Sequence, residues 1–108
     1  MTTIQPHAPH ATLVNVFTVA PEKADALVEL LVRATDEVMR YVPGFVSANI
    51  HVSTDGTRVV NYGQWADAEA FAAMTKNPQA REHMDRAADL AESFDPHLYT
   101  VVSVHQAG

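Results

Sequence analysis

Cysteine is missing from this chain, which removes disulfide frameworks, thiolate nucleophiles and cysteine-ligated zinc or iron–sulfur centres together. Glycine is scarce, four in 108 residues. With no Gly-rich phosphate cradle, nucleotide cofactors held by the usual motifs are not expected. Positive charge is also thin: 7 Lys and Arg stand against 13 Asp and Glu, a net charge of −6, with no basic cluster. Nucleic-acid binding leans on clustered cations, so no nucleic-acid partner is expected. No apolar run approaches the ~20 residues that span a bilayer, so no membrane partner is expected either. The first ten residues, MTTIQPHAPH, lack the charged-then-apolar order of a secretory leader, and a cytoplasmic protein is expected. No G-x-S-x-G elbow is present, which argues against an esterase-type triad.

What remains is a chain that is 47% apolar, enough for the core of one domain. Residues 1–10, polar with two prolines, are expected to form a flexible N-terminal tail, and residues 11–108 a single domain. ATLVNVFTV (11–19) reads as a strand. The stretch from Pro21 to Val42 carries Leu27, Leu30, Leu31, Ala34 and Val38 at helical spacing and stops at Pro43-Gly44. Two β-rich runs, 45–54 and 57–65, flank Asp55-Gly56, a strong hairpin signal. A short helix follows, with Asp67 as its cap, and Pro78 opens a second helical piece running to Ser93. HLYTVVSVHQ (97–106) reads as the last strand. The order β-α-β-β-α-β predicts an α+β, ferredoxin-like fold with a four-stranded antiparallel sheet and helices on one face.

Leu13, Asn15, Phe17 and Val19 form one face of the first strand, and Val14, Val16 and Thr18 the other. Both are largely apolar, whereas a sheet with one wet face alternates apolar and polar residues. Helices cover only one face, so a homodimer through the sheet is expected.

Metal binding needs converging ligands, commonly H-x-x-x-H on a helix. The six histidines are scattered instead: His7 and His10 in the tail, His51, His97 and His105 on or near strands, His83 alone on its helix. No metal site is expected. The acidic pairs Asp36–Glu37 and Asp85–Asp89 read as solvated helix faces. That leaves polar residues lodged in apolar strands. In VVNYGQWAD (59–67), Val59, Asn61, Gly63 and Trp65 share a face; Asn15 interrupts the first strand in the same way. One account makes the asparagines structural, bonded to backbone or to each other, with Trp65 filling core. The other lets two amides and an indole N–H face one cavity beneath the helices, with Gly63 leaving room for a flat ligand.

Residues 42–67, VPGFVSANIHVSTDGTRVVNYGQWAD, carry a resemblance to the antibiotic biosynthesis monooxygenase family of small dimeric ferredoxin-like proteins. The likeness extends from about Leu13 to Val104. It is strongest to the family's anthrone monooxygenases of actinorhodin- and tetracenomycin-type polyketide pathways. The resemblance implies oxidation of an anthrone-like polycyclic aromatic to a quinone, with O₂ as co-substrate and no cofactor. It also implies catalytic roles for Asn61, Trp65 and Asn15. Phe17, Phe45, Phe71, Met74 and Met84 are expected to wall the substrate site, with His51 and His83 as polar contacts. Some of those enzymes carry a tryptophan where this chain has Val38 and a tyrosine where it has Phe71. Two alternatives stay open: a haem-binding or haem-degrading monooxygenase of the same fold, whose helical Trp position is Met74 here, and a non-catalytic small-molecule-binding dimer. An asparagine is not a base near neutrality, so the substrate's own acidity, water, His51 or His83 would have to account for proton loss.

Overall fold

Alternating side chains put Leu13, Phe17, Val59 and Trp65 on one side of two neighbouring strands, and all four are buried there. A computed structural model describes residues Met1–Gly108. Its elements run β1 (Ala11–Thr18), α1 (Pro21–Glu37), β2 (Phe45–Val52), β3 (Arg58–Trp65), α2 (Ala68–Thr75), α3 (Pro78–Leu90) and β4 (Ser93–Tyr99). The four strands form one antiparallel sheet in the order β2-β3-β1-β4, the ferredoxin-like arrangement. No helix is long and apolar enough to cross a membrane.

Local chemistry sets the boundaries. Pro21 occupies the first turn of α1, where its missing N–H is harmless. The Asp67 carboxylate accepts from Ala70 N at 2.8 Å and caps α2. Asn77 Oδ1 accepts from Gln79 N (2.9 Å) and Ala80 N (3.2 Å), starting α3 with Pro78 behind it. In the β2–β3 hairpin, Gly56 takes φ +73°. Beside it, hydrogen bonds from Thr57 and Ser53 hold the Asp55 carboxyl down at about 2, below its ordinary value.

Three boundaries differ from the sequence expectation. α1 ends at Glu37, and a 3-10 turn (Met39–Tyr41) carries the chain to Pro43-Gly44. α3 stops at Leu90 rather than Ser93. The last strand is Ser93–Tyr99, not 97–106. Glu92 N donates to the Thr18 carbonyl at 2.8 Å, so the chain joins β1 almost as soon as α3 ends. The residue pattern places Ser93 in the helix and starts the strand only after the Asp-Pro pair. On an edge strand a proline is tolerated, because one side of the ladder needs no donor.

The helix-covered face holds two separate apolar clusters. One contains Phe17, Val19, Ala24, Leu27, Val59 and Ala87. The other contains Leu13, Trp65, Met74 and Ala80. On the opposite face, Val14, Val16 and Val60 are half-buried with no helix over them. Residues 1–10 form no strand or helix, yet Thr2 Oγ1 donates to Asn49 Oδ1 (2.7 Å) and Gln64 Nε2 donates to the Thr3 carbonyl (2.8 Å).

Gly44 sits at φ +86°, and a Cβ there would run into the Ala70 side chain. Gly44→Ala is therefore expected to destabilise the fold by about 1–3 kcal/mol. Chemical denaturation checks this; an unchanged midpoint would refute the close α2 contact.

Candidate functional site

The register of β1 on β3 sets Asn15 directly opposite Asn61. Each lies between apolar neighbours on the same face: Asn15 between Leu13 and Phe17, Asn61 between Val59 and Gly63. The first of each pair of neighbours and the second belong to different ends of the face, so the two amides mark the seam between the apolar clusters. A cavity of about 320 Å³ opens there, lined by Asn15, Asn61, Gly63 and Trp65 from the sheet and by α1, α2 and α3 above it.

The polar groups in this hollow are under-used by the protein. Asn15 Oδ1 accepts from Asp95 N at 3.2 Å, tying that amide to β4. The Asn61 amide makes no hydrogen bond, and its Oδ1 is buried without a partner. Such a group costs about 1–3 kcal/mol. Trp65 is 3% exposed and is clamped edge-on by Phe45 (centroids 5.5 Å, 85°) and Phe71 (6.2 Å, 68°). Those contacts fix the ring while leaving the indole N–H without a hydrogen bond in the chain. His83 Nδ1 is the third polar atom concerned, buried and unpartnered on α3.

The expected wall residues Phe17, Phe45, Phe71, Met74, His83 and Met84 all line the cavity. Met74 is buried and Met84 stands partly exposed at the rim. His51 does not belong with them. Phe45 pairs with Trp65 but Ser47 pairs with Gln64, so a bulge at Val46 reverses the facing of β2. Asn49 and His51 then share Ser47's face, away from the helices. His51 is exposed there, and its Nδ1 lies 3.0 Å from the Asn49 carbonyl. Lining residues not anticipated include Leu31, Thr35 and Met39 near the end of α1 and Phe94 and Pro96 on β4. Helical spacing put Leu31 in the core, and the misplaced last strand hid Phe94 and Pro96.

An apolar hollow with three donors (Asn15 Nδ2, Asn61 Nδ2, Trp65 Nε1) suits an aromatic guest that carries acceptor oxygens. Gly63 controls the space beside them. A Cβ there would meet Leu13 and the Ser47 carbonyl at 3.6 Å, ordinary contact. Gly63→Ala is thus expected to fold normally while weakening an aromatic guest about tenfold. Quenching of Trp65, the single tryptophan, measures this; unaltered affinity would mean that guests do not lie over Gly63.

The chain matches the family model described as antibiotic biosynthesis monooxygenase over residues 11–86. It is 49% identical over 85 residues to the tetracenomycin-F1 monooxygenase of Streptomyces glaucescens, covering 79% of this chain and 76% of that protein. The structure superposes on a monooxygenase from the gene ActVA-Orf6 of Streptomyces coelicolor, solved in complex with nanaomycin D. The TM-score is 0.81 and the identity 32%, over 91% of this chain and 92% of that one. It is also similar to SnoaB, a cofactor-independent oxygenase from Streptomyces nogalater, with TM-score 0.74 and 26% identity over 90% and 97% of the two chains.

Proposed function

We propose a function on one premise: the chain belongs to the antibiotic biosynthesis monooxygenase family. It is a cofactor-independent monooxygenase that converts an anthrone-like polycyclic aromatic polyketide to a quinone with O₂. The observation that carries this reading is the unpartnered Asn61 amide and unbonded Trp65 N–H on the wall of a largely apolar cavity.

Ground-state O₂ is a triplet and reacts slowly with closed-shell molecules. An anthrone that gives up a proton from its ring CH₂ becomes an electron-rich enolate, able to pass one electron to O₂. The two radicals combine at that carbon to form a peroxide. Loss of water from the peroxide breaks the O–O bond and leaves a carbonyl, so CH₂ plus O₂ becomes C=O plus H₂O. The protein's tasks are to hold the ring system, exclude water and stabilise the enolate oxygen.

Donors already fixed where charge develops are the most effective means to the last of these. Asn61 Nδ2 and Trp65 Nε1 fill that role, and Asn15 Nδ2, held by the bond from Asp95 N to its own oxygen, orients the substrate carbonyl. Phe17, Phe45, Phe71 and Met74 supply the apolar walls that keep water out and make those donors count for more. The same arrangement explains why no resident cofactor is needed: the substrate furnishes the electrons.

The protein works as a homodimer through the sheet face that no helix covers. Val14, Val16 and Val60 lie there half-buried in the single chain, and the Tyr62 hydroxyl is buried without a partner. Beyond β4, the β-rich stretch after Tyr99 leaves Val102 and Val104 exposed with no strand of its own chain to pair with.

Oxygen uptake with dithranol, an anthrone, in chelator-treated buffer is the direct test. Turnover above spontaneous autoxidation is expected, and Asn61→Ala should lower it roughly 10²-fold, the scale of losing one donor to a developing oxyanion. No uptake, or a variant as fast as the parent, would defeat the reading. Light scattering at micromolar concentration should return twice the chain mass of 11.8 kDa; a monomer would defeat the dimer.

A further inference from the structure

The enolate has to be made before it can be stabilised, and neither an amide nor an indole takes a proton near neutrality. Titratable side chains at the cavity wall are His83 and Asp85. Asp85 is exposed to water at the rim, whereas His83 is partly covered and its Nδ1 is fully buried. None of the other five histidines reaches the hollow. His51 and His97 project from the opposite sheet face, His97 against Asp95 at 2.7 Å. His7, His10 and His105 lie in the terminal segments.

The placement of His83 is unusual for α3. Ala80 and Ala87, one turn to either side, are buried against the sheet side of the molecule. Positions 80, 83, 84 and 87 therefore share the inward stripe of the helix, where an apolar residue would be expected. Small neighbours at 80 and 87 leave the imidazole room at the wall. Neither ring nitrogen bonds to any group of the chain, and only Nδ1 is buried, so Nε2 is the accessible one. A buried polar side chain that the protein itself does not satisfy calls for an explanation. Here the unmatched atom is Nδ1, so no group of the chain fixes the ring's tautomer or engages its other nitrogen, and Nε2 is left free to offer a lone pair.

We propose that His83 is the catalytic base: Nε2 takes the proton from the ring CH₂ of the bound anthrone, on the helix side, while Asn61 and Trp65 receive the resulting enolate from the sheet side. The C–H bond breaks, the proton passes to Nε2, and the electron pair stays on the ring, delocalised onto the carbonyl oxygen. Imidazole is the side chain whose ordinary titration lies nearest neutrality, which suits reversible proton transfer. The proton later returns to the departing oxygen as water leaves the peroxide, so the residue ends each cycle as it began. This assignment rests on the oxygenase reading above, because only that reaction demands a carbon acid.

The proton step can be read without oxygen. Under anaerobic conditions in D₂O, the protein should exchange the ring CH₂ hydrogens of dithranol faster than buffer does. His83→Gln places an amide near the position of Nε2 and keeps hydrogen bonding without basicity. It is expected to slow exchange by about 10²-fold or more, while binding of the product quinone, followed by Trp65 fluorescence, changes less than about threefold. His83→Ala should be slow as well and recover in part with added imidazole. His51→Gln, on the opposite face, serves as the control and should exchange like the parent. Exchange at the parental rate in His83→Gln would overturn the assignment, even if the parent consumes oxygen. So would a loss of product binding matching the loss of rate, since that pattern means packing rather than proton transfer. If the parent exchanges in a His83-dependent way but consumes no oxygen, the base stands and the oxygenase reading is what fails. Product binding also reports that each variant is folded, so a collapsed His83→Gln is recognised and His83→Ala with imidazole rescue decides the matter.

Discussion

The antiparallel register between β1 and β3 governs everything else in this molecule. It sets Asn15 against Asn61 in the middle of a face that is otherwise apolar. Because strand side chains alternate strictly, a slip of one residue by β1 would turn Asn15 outward with Leu13 and Phe17, and a slip by β3 would do the same to Asn61, Val59 and Trp65. The same ladder therefore specifies the core and the site. Burial of those four large side chains is what holds two otherwise unfavourable amides in place.

The two asparagines are not equivalent. Asn15 is tied through its oxygen to the backbone of the edge strand, whereas Asn61 has nothing to hold. One amide is a fixed reference and the other is in want of a partner. Trp65 combines both conditions in a single side chain, its ring gripped by Phe45 and Phe71 and its N–H left unused. On the reading proposed above, a site made this way binds by completing hydrogen bonds that the fold leaves open, a sound basis for selecting an oxygen-bearing aromatic over a plain hydrocarbon.

Much of this was legible in the residues. Period-two alternation assigned the faces of β1 and β3, the Asp-Gly pair located the hairpin, and Asp67 and Pro78 marked the helix starts. The failures have particular causes. The residue pattern begins the last strand at His97, after Asp95-Pro96, and only the pairing with β1 shows that it starts at Ser93; Phe94 and Pro96 were lost from the wall as a result. His51 shares its parity with Phe45, and nothing local announces the bulge at Val46 that reverses their relation. The cavity itself could be suspected but not measured, since periodicity tells which way a side chain points and not whether the space before it is filled. Likewise His83 was one candidate among several until the sheet faces sorted the histidines.

The interior comes in two lobes, Phe17–Val19–Leu27–Val59 at one end and Leu13–Trp65–Met74 at the other, with the hollow as its waist. Whatever fills that waist bridges the lobes, and a molecule bound only by the folded chain stabilises it by mass action. Occupancy and cohesion are thus the same quantity seen twice. On the proposed reading the empty form is the looser one, easier for heat and proteases to open, and each product departure briefly returns the chain to it.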